Sequence, residues 1–222
     1  MQKTVVIDIV GLSESIISEH TPYLKSYIEK NHLSKIKPVL PAVTTTSQSC
    51  YVTGKYPTDH GIVGNGWYDR TDAEVKFWKQ SNKLVGDEKI WDAARKINSE
   101  FTCANLFWWY NMYSSADYAV TPRPLYPADG RKLPDCHSQP MELRDRLQAE
   151  LGQFPLFTFW GPNTSIESSK WIAEAAKKVE EWYNPTLNLI YIPHLDYNLQ
   201  KYGIDFSKIS KDLHEVDDLA KD

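Results

Sequence analysis

Cysteine is scarce in this chain, and the positions of the few that occur exclude the classes of protein that depend on it. Only 3 cysteines are present among 222 residues, namely Cys50, Cys103 and Cys136. They form neither a CxxC pair nor the even, closely spaced set of a disulfide framework. We therefore interpret them as free thiols, which is typical of a protein in a reducing compartment.

Long apolar runs and blocks of one charge are also missing. The apolar run at the N-terminus, residues 4–10, is short and contains Asp8, so it predicts neither a signal peptide nor a membrane span. The 25 basic and 29 acidic residues are interspersed and give a net charge of -4, which argues against a nucleic-acid-binding surface. These absences predict a cytoplasmic protein with neither a membrane nor a nucleic acid as its partner.

Predicted strands and helices alternate along the chain. Short apolar runs rich in β-branched or aromatic residues predict buried strands at 4–10, 101–107 and 187–193. Apolar residues at helical spacing predict helices at 87–97, 141–151 and 165–183, and the first of these also has an acidic start and a basic end. This alternation predicts an α/β fold with a largely parallel central sheet and helices on both faces.

Between these elements lie stretches rich in Trp, Tyr and Pro, at 67–80 and 108–140. We interpret them as irregular excursions within 66–140 that cover a site, and a small cap subdomain is the alternative. The aromatic run at 107–110 favours a place in the core, because aromatic side chains dominate buried area. Trp67 and Tyr68 are better placed to contact a substrate.

Two aspartates are associated with predicted strands at positions where α/β proteins bind ligands. Asp8 lies inside or at the end of the first strand, and Asp196 follows the strand at 187–193. A buried carboxylate is costly unless a cation or hydrogen bonds compensate it. Asp8 alone is equally consistent with local hydrogen bonding, whereas the pair favours a metal site with oxygen ligands.

A run of three threonines opens the segment VTTTSQSCYVTGKYPTDHGIVGN, residues 43–65. Thr44, Thr45 and Thr46 stand where a helix is predicted to begin, and the free amides and dipole of such an end favour an anion. A hydroxyl there could attack phosphorus once a metal lowers its pKa. Ordinary N-capping is the alternative, and spacing alone does not decide between the two.

These pieces together resemble the nucleotide pyrophosphatase/phosphodiesterase branch of the alkaline phosphatase superfamily. The resemblance rests on Asp8 in VVIDIVGL, on TTTSQSCYVTGKYPTDHGIVGN, and on Asp196 in YIPHLDYNLQKYG. It implies an alkaline phosphatase-like fold and a metal-dependent hydrolase of phosphodiester or pyrophosphate bonds. The substrate class that it implies is a small phosphate ester, with a nucleotide as one candidate.

The resemblance also implies roles for individual residues. Aligned on VTG and HGI, it makes Thr44 the nucleophile and Asn65 a ligand of the phosphoryl oxygen, and a slip of one residue to Thr45 or Thr46 is the alternative alignment. Asp8 and Thr44 would hold one of two divalent ions, expected to be zinc, and Asp196 would hold the other. Thr44 would then form a covalent phosphothreonine that water releases.

The chain departs from the family pattern after Asp196. The family places a histidine four residues later, where this chain has Gln200, a weaker zinc ligand. The family's later Asp-His pair and further histidine have no counterpart, and Asp217 and Asp218 are interpreted as solvated. We therefore expect residues 1–222 to be the N-terminal part of one alkaline phosphatase-like catalytic domain, truncated at the C-terminus.

Other functions remain open at this point. A phosphomonoester or phosphonate hydrolase of the same superfamily would use the same nucleophile and metals. A catalytically incomplete domain, acting as a binding module, would explain the missing histidines. His60, in the HGI turn, is interpreted as structural in every case.

Overall fold

A computed structural model describes residues 1–222 and shows an α/β fold built on a five-stranded sheet. The strands of the whole fold, including two outside this sheet, are β1 Thr4–Ile9, β2 Gly66–Asp69, β3 Glu74–Phe77, β4 Cys103–Leu106, β5 Tyr118–Pro122, β6 Cys136–Gln139 and β7 Leu187–Ile192. Its α-helices are α1 Pro22–Lys30, α2 Thr44–Thr53, α3 Pro57–His60, α4 Ile90–Ile97, α5 Met141–Leu151, α6 Ile166–Tyr183, α7 His194–Tyr202 and α8 Phe206–Lys221.

The central sheet is mostly parallel, as the sequence predicts. Its strand order is β1-β7-β4-β5-β6. The pairs β1 with β7, β7 with β4 and β4 with β5 are parallel, whereas β6 is antiparallel to β5. Every residue of β4 and β7 is buried, because these strands have neighbours on both sides and α6 packs across them. Their mainly apolar sequences are consistent with that burial.

Strand β1 does not occupy the buried position that its sequence predicts. It lies at the edge of the sheet with β7 as its single neighbour, and Val5 and Ile7 are 56% and 43% exposed. The prediction of a strand is confirmed, but the prediction of burial is wrong. An apolar run indicates that a segment favours a β-strand, whereas the burial of that strand depends on which elements pack beside it.

The stretch 108–140 is less irregular than predicted, because it contributes β5 and β6 to the central sheet. These strands have only five and four residues, and prolines lie in or close to both of them. Strands this short do not show a clear alternation in sequence. The stretch 67–80 contributes most of a separate two-stranded antiparallel hairpin formed by β2 and β3.

The predicted helices are confirmed with small shifts of their ends. Helix α5 begins and ends where predicted, and α4 and α6 differ from the prediction only at their first residues. None of the helices has the length and apolar character that crossing a bilayer requires. The three cysteines are free and buried, which confirms their interpretation as thiols.

Helix α8 holds one residue whose predicted environment is wrong. Asp217 was expected to be solvated but is 3% exposed. Its carboxylate oxygens accept the backbone N–H groups of Tyr23 and Leu24, each at 2.8 Å. Asp217 therefore caps the first turn of α1 from α8, and it joins two helices that are far apart in sequence.

Candidate active site

The polar residues singled out in the sequence meet at the carboxyl ends of β1 and β7. Asp8 is the penultimate residue of β1, and Asp196 lies in the first turn of α7, which follows β7. Because these strands are parallel neighbours, their ends reach the same edge of the sheet. A cavity of about 500 Å³ opens there, and Thr44, Asn65, Asp196 and Gln200 all line it. Asp8 lies beside this cavity rather than in its lining.

Of the three threonines at the start of α2, Thr44 is the one that faces the cavity. Thr45 and Thr46 are fully buried, and only Thr44 is partly exposed and part of the lining. The Thr45 hydroxyl is in hydrogen-bond range of Asn65 Oδ1 and of the Gly64 carbonyl, at 2.9 Å from each. The alternative alignments would therefore make a buried hydroxyl the reacting group.

Asn65 is held in one orientation by its neighbour on α2. Its side-chain oxygen accepts the backbone N–H of Thr45 at 3.1 Å and the Thr45 hydroxyl at 2.9 Å. The amide nitrogen is thus the atom that remains to donate a hydrogen bond into the cavity. A donor beside the first-turn amides of α2 suits an anionic group.

Asp8 is positioned by a glutamine that the sequence analysis did not identify. Gln48 Nε2 donates to Asp8 Oδ2 at 2.7 Å, and Gln48 Oε1 accepts the backbone N–H of Trp109 at 2.8 Å. Burial raises the pKa of Asp8, and the bond from Gln48 only partly offsets this. Gln48 is four residues after Thr44, so the helical period places both on one face of α2. That spacing was the available signal.

Asp196 has a similar environment, with Gln200 as its partner. Burial raises the pKa of Asp196, and the Gln200 amide nitrogen donates to its carboxylate. In this structure Gln200 is therefore a hydrogen-bond partner of Asp196, and its role as a metal ligand stays a prediction. Neither Asp8 nor Asp196 forms an ion pair with a lysine or arginine.

Tyr191 is a second residue that the sequence analysis missed. It is the partner of Asp8 in the β1–β7 register, is 6% exposed and lines the cavity. Burial raises the pKa of its phenol, and the charges of Asp8 and Asp196 raise it further. Tyr191 is thus a neutral group beside two carboxylates. No sequence pattern indicates it, because the register between β1 and β7 exists only in the folded sheet.

An aromatic wall covers one side of the cavity. It consists of Phe77, Trp78, Trp109, Phe159, Trp160, Tyr191 and Tyr197. The rings of Trp78 and Trp109 are 4.7 Å apart, and the N–H of Trp78 donates to the Asn65 carbonyl at 2.9 Å. The residues at 107–110 are buried, as predicted for a core, but Trp109 also belongs to this wall.

The expectation that Trp67 and Tyr68 contact a substrate is not supported, since neither lines the cavity. The register of the β2–β3 hairpin pairs Gly66 with Phe77. Phe77, the last residue of β3, and Trp78, which follows it, line the cavity instead. His60 is structural, as predicted. It is fully buried, its Nδ1 accepts the N–H of Ile62 at 3.1 Å, and its Nε2 lies 3.2 Å from Cys50 Sγ.

The donor set at this edge fits part of a two-ion site. Two partly buried carboxylates without a basic partner are an arrangement that a divalent cation stabilises. The candidate donors are Asp8, Thr44, Asp196 and Gln200, which are too few to complete two four-coordinate zinc sites. The described residues therefore provide oxygen donors at both expected positions and no histidine at either.

Solved structures with this fold define its class. Phosphonoacetate hydrolase from Sinorhizobium meliloti 1021, in complex with phosphonoacetate, superposes with a TM-score of 0.63 at 18% identity, over 98% of this chain and 54% of the other. Murine ectonucleotide pyrophosphatase/phosphodiesterase 5, in an inactive form in complex with AMP, gives a TM-score of 0.59 at 18% identity, over 100% and 52%. The fold is thus alkaline phosphatase-like.

Sequence comparison then gives the family. The model of the type I phosphodiesterase / nucleotide pyrophosphatase family matches residues 4–222. An uncharacterized pyrophosphatase/phosphodiesterase of Schizosaccharomyces pombe is 26% identical over 228 aligned residues, which cover 96% of this chain and 38% of that protein. An ectonucleotide pyrophosphatase/phosphodiesterase of Caenorhabditis elegans is 32% identical over 96 residues, 41% of this chain and 11% of that protein. The chain belongs to the type I phosphodiesterase / nucleotide pyrophosphatase family. It spans about half or less of the length of these relatives.

Proposed function

We propose that this chain carries the nucleophile and part of the metal centre of a metal-dependent phosphodiesterase or nucleotide pyrophosphatase. The observation that carries the proposal is the Thr44 hydroxyl at the start of α2, in one cavity with Asn65 and Asp196. Membership of a family named for this hydrolysis supports the reaction class. The burial of Thr45 and Thr46 supports Thr44 as the reacting hydroxyl.

In this proposal Asp8 and Thr44 hold one divalent ion, and Asp196, with Gln200, holds the second. Zinc is the expected metal. Bound ions of this kind favour the ionised form of a hydroxyl and neutralise charge on phosphate oxygens. The absence of a basic partner at Asp8 and Asp196 supports their role as ligands.

Thr44 attacks phosphorus on the side opposite the leaving group. The new Oγ–P bond forms as the P–O bond to the leaving group breaks, and the leaving group departs with the electron pair. The hydroxyl proton passes to solvent. Water then attacks the phosphothreonine and restores the Thr44 hydroxyl, while the phosphoryl group leaves as product.

Asn65 and α2 stabilise the charge that develops on the phosphoryl oxygens. The Asn65 nitrogen is free to donate because its oxygen is occupied by Thr45. The first-turn amides of α2 point their dipole at the same place. The aromatic wall favours an ester with a planar group, such as a nucleotide, over a simple alkyl phosphate.

Two alternatives have specific support. A phosphonate or phosphomonoester hydrolase is supported by the structural likeness to phosphonoacetate hydrolase. A catalytically incomplete domain with a binding role is supported by the shortage of metal donors, since four candidate residues serve two ions.

The test compares a chromogenic phosphodiester, the matching monoester and a phosphonate as substrates of this chain in added zinc. We expect the diester to be the best substrate, and Thr44→Ala to reduce its turnover at least about 10³-fold, as loss of a nucleophile does. Thr44→Ser keeps a hydroxyl and should retain part of the activity. Thr46→Val is the matched control, because it removes a buried neighbouring hydroxyl.

Each other outcome selects an alternative. Equal turnover by the parent and Thr44→Ala would exclude Thr44 as the nucleophile. Preference for the phosphonate or the monoester would favour the other hydrolase. No turnover by a folded parent that binds fewer than two ions per chain would favour the incomplete domain.

A further inference from the structure

A second group of metal-ligating side chains lies in the cavity next to the candidate active site. His194 is the first residue of α7, and Asp212 and Glu215 are three residues apart on one face of α8. One ligand atom from each residue lies within 4.8 Å of the other two. The group faces a cavity of about 740 Å³, which shares Gly161, Tyr197 and Gln200 with the active-site cavity.

The spacing of the three ligand atoms suits one small cation. His194 Nε2 lies 3.0 Å from Glu215 Oε2 and 3.6 Å from Asp212 Oδ1. Ligands of tetrahedral zinc at their usual bond lengths are separated by ~3.3 Å, between these two distances. Both separations that involve His194 are therefore close to those of a zinc site, and the ligand atoms of Asp212 and Glu215 lie within 4.8 Å of each other.

The group is not satisfied by its own hydrogen bonds. Asp212 is 5% exposed, and its Oδ1 accepts no hydrogen bond, since 3.6 Å is beyond hydrogen-bond length. Two carboxylates also face a single imidazole, so even a protonated His194 leaves one negative charge without a buried partner. The nearest lysine, Lys211, lies 3.6 Å from Glu215 Oε1 but is 82% exposed, so water screens its charge.

The other oxygen of Asp212 has a partner that orients it. Asn198 Nδ2 donates to Asp212 Oδ2 at 2.6 Å, which directs Oδ1 at the group. Outer hydrogen bonds of this kind are typical of metal-ligating carboxylates. Asn198 lies on α7, so α7 supplies both a ligand and the residue that orients another.

We propose that His194, Asp212 and Glu215 form a mononuclear site for a divalent first-row metal ion such as Zn²⁺, in addition to the proposed catalytic ions. One imidazole and two carboxylates favour such an ion over Ca²⁺ or Mg²⁺, which prefer oxygen ligands alone. The open side of the cavity leaves the fourth coordination position to water or a small ligand. The proposal does not depend on the proposed function, because it uses none of the candidate catalytic residues.

The test uses a background in which the candidate catalytic ligands are removed, Asp8→Asn combined with Asp196→Asn. Zinc content after equilibrium dialysis and affinity by chelator competition are measured. We expect one Zn²⁺ per chain in this background. Adding Glu215→Gln should weaken binding at least tenfold, on the scale that even outer partners of a metal ligand contribute. Asp212→Asn should have a similar effect.

Glu167→Gln is the matched control, because Glu167 lines the same cavity but pairs with Lys170 at 3.0 Å and lies outside the group. It should leave zinc binding unchanged. Replacing Zn²⁺ with Co²⁺ gives a second readout, the visible absorption of a four-coordinate ion, which should disappear with Glu215→Gln. Circular dichroism confirms that each variant is folded.

A folded background chain without zinc would overturn the proposal and leave His194 as an ion pair with Glu215. Zinc binding that is unchanged by both Glu215→Gln and Asp212→Asn would also overturn it, since the ion would then be held elsewhere.

Discussion

Each edge of the central sheet has a carboxylate that is at least partly buried, but the two carboxylates have opposite electrostatic environments. At the β6 edge, Asp135 accepts hydrogen bonds from Arg144 of α5, Nε to Oδ1 at 2.5 Å and Nη2 to Oδ2 at 2.9 Å. At the β1 edge, Asp8 has only the neutral Gln48. The β6 edge is packed by α5, whereas the residues of β1 before Asp8 are exposed.

The pKa values of the two carboxyls follow this difference. Burial alone would raise the pKa of Asp135, but hydrogen bonds and charge from Arg144 outweigh it and hold that pKa below its ordinary value. Burial raises the pKa of Asp8, and the hydrogen bond from Gln48 lowers it by less than burial raises it. A carboxylate neutralised within the chain stabilises the fold, whereas a carboxylate without a basic partner is a candidate ligand for a bound cation.

The largest expected effect on stability comes from breaking the ion pair at the β6 edge. Asp135→Asn should lower the free energy of unfolding by about 2–3 kcal/mol, because it leaves the Arg144 charge without its partner. The value is below that of a fully buried pair, since the Arg144 side chain is 35% exposed. Urea denaturation followed by circular dichroism measures it.

Asp129→Asn is the control for this prediction, because Asp129 pairs with Arg131 where both side chains are more than half exposed. It should change stability by less than about 0.5 kcal/mol. Equal effects of the two variants would contradict a structural role for the Asp135–Arg144 pair.

A matched pair of valines tests the difference in burial. Val120→Thr in β5 places a hydroxyl at a fully buried position and should cost about 2 kcal/mol. Val5→Thr in β1 makes the same change at a position that is 56% exposed, and it should cost less than about 0.5 kcal/mol. The midpoints of urea unfolding compare them. A large loss from Val5→Thr would mean that β1 is covered in solution.

The smallest effect, and the most specific one, is the opposite pH dependence of the two carboxyls. Because the folded pKa of Asp8 is raised above 3.8, the contribution of Asp8 to the stability of the metal-free protein is lost as pH rises from that value through the folded pKa. Because the folded pKa of Asp135 is lowered, its contribution is present above 3.8 and is lost as pH falls through the folded pKa. One proton changes the free energy by at most about 1.4 kcal/mol per pH unit.

The measurement is urea unfolding from pH 3 to 7 in the presence of a chelator, for the parent, Asp8→Asn and Asp135→Asn. We expect Asp8→Asn to gain stability relative to the parent as pH rises. The loss caused by Asp135→Asn should shrink at the acid end. The same sign for both variants would refute the contrast between the edges.

How far the sequence could predict this molecule depends on the length of each element. The 11 residues of α5 and the 18 of α6 span several turns, so their periodicity predicted them well. The short strands β5 and β6 had too few residues to show a period. The aspartates at or after strand ends were predictable as candidate site residues, because the ends of parallel strands meet at one edge.

The sequence by itself determined that this is an α/β protein of the phosphodiesterase family pattern, with Asp8, Thr44, Asn65 and Asp196 as its candidate site. Those conclusions depend on local periodicity and on motifs whose residues are near one another in the chain. Only the tertiary structure decided that Thr44 rather than Thr45 or Thr46 faces the cavity, that Gln48 and Tyr191 adjoin Asp8, and that β1 lies exposed. It also brought His194 to Asp212 and Glu215. Each of these depends on which distant segments pack together, and that packing follows from the burial of the whole core rather than from any one stretch of sequence.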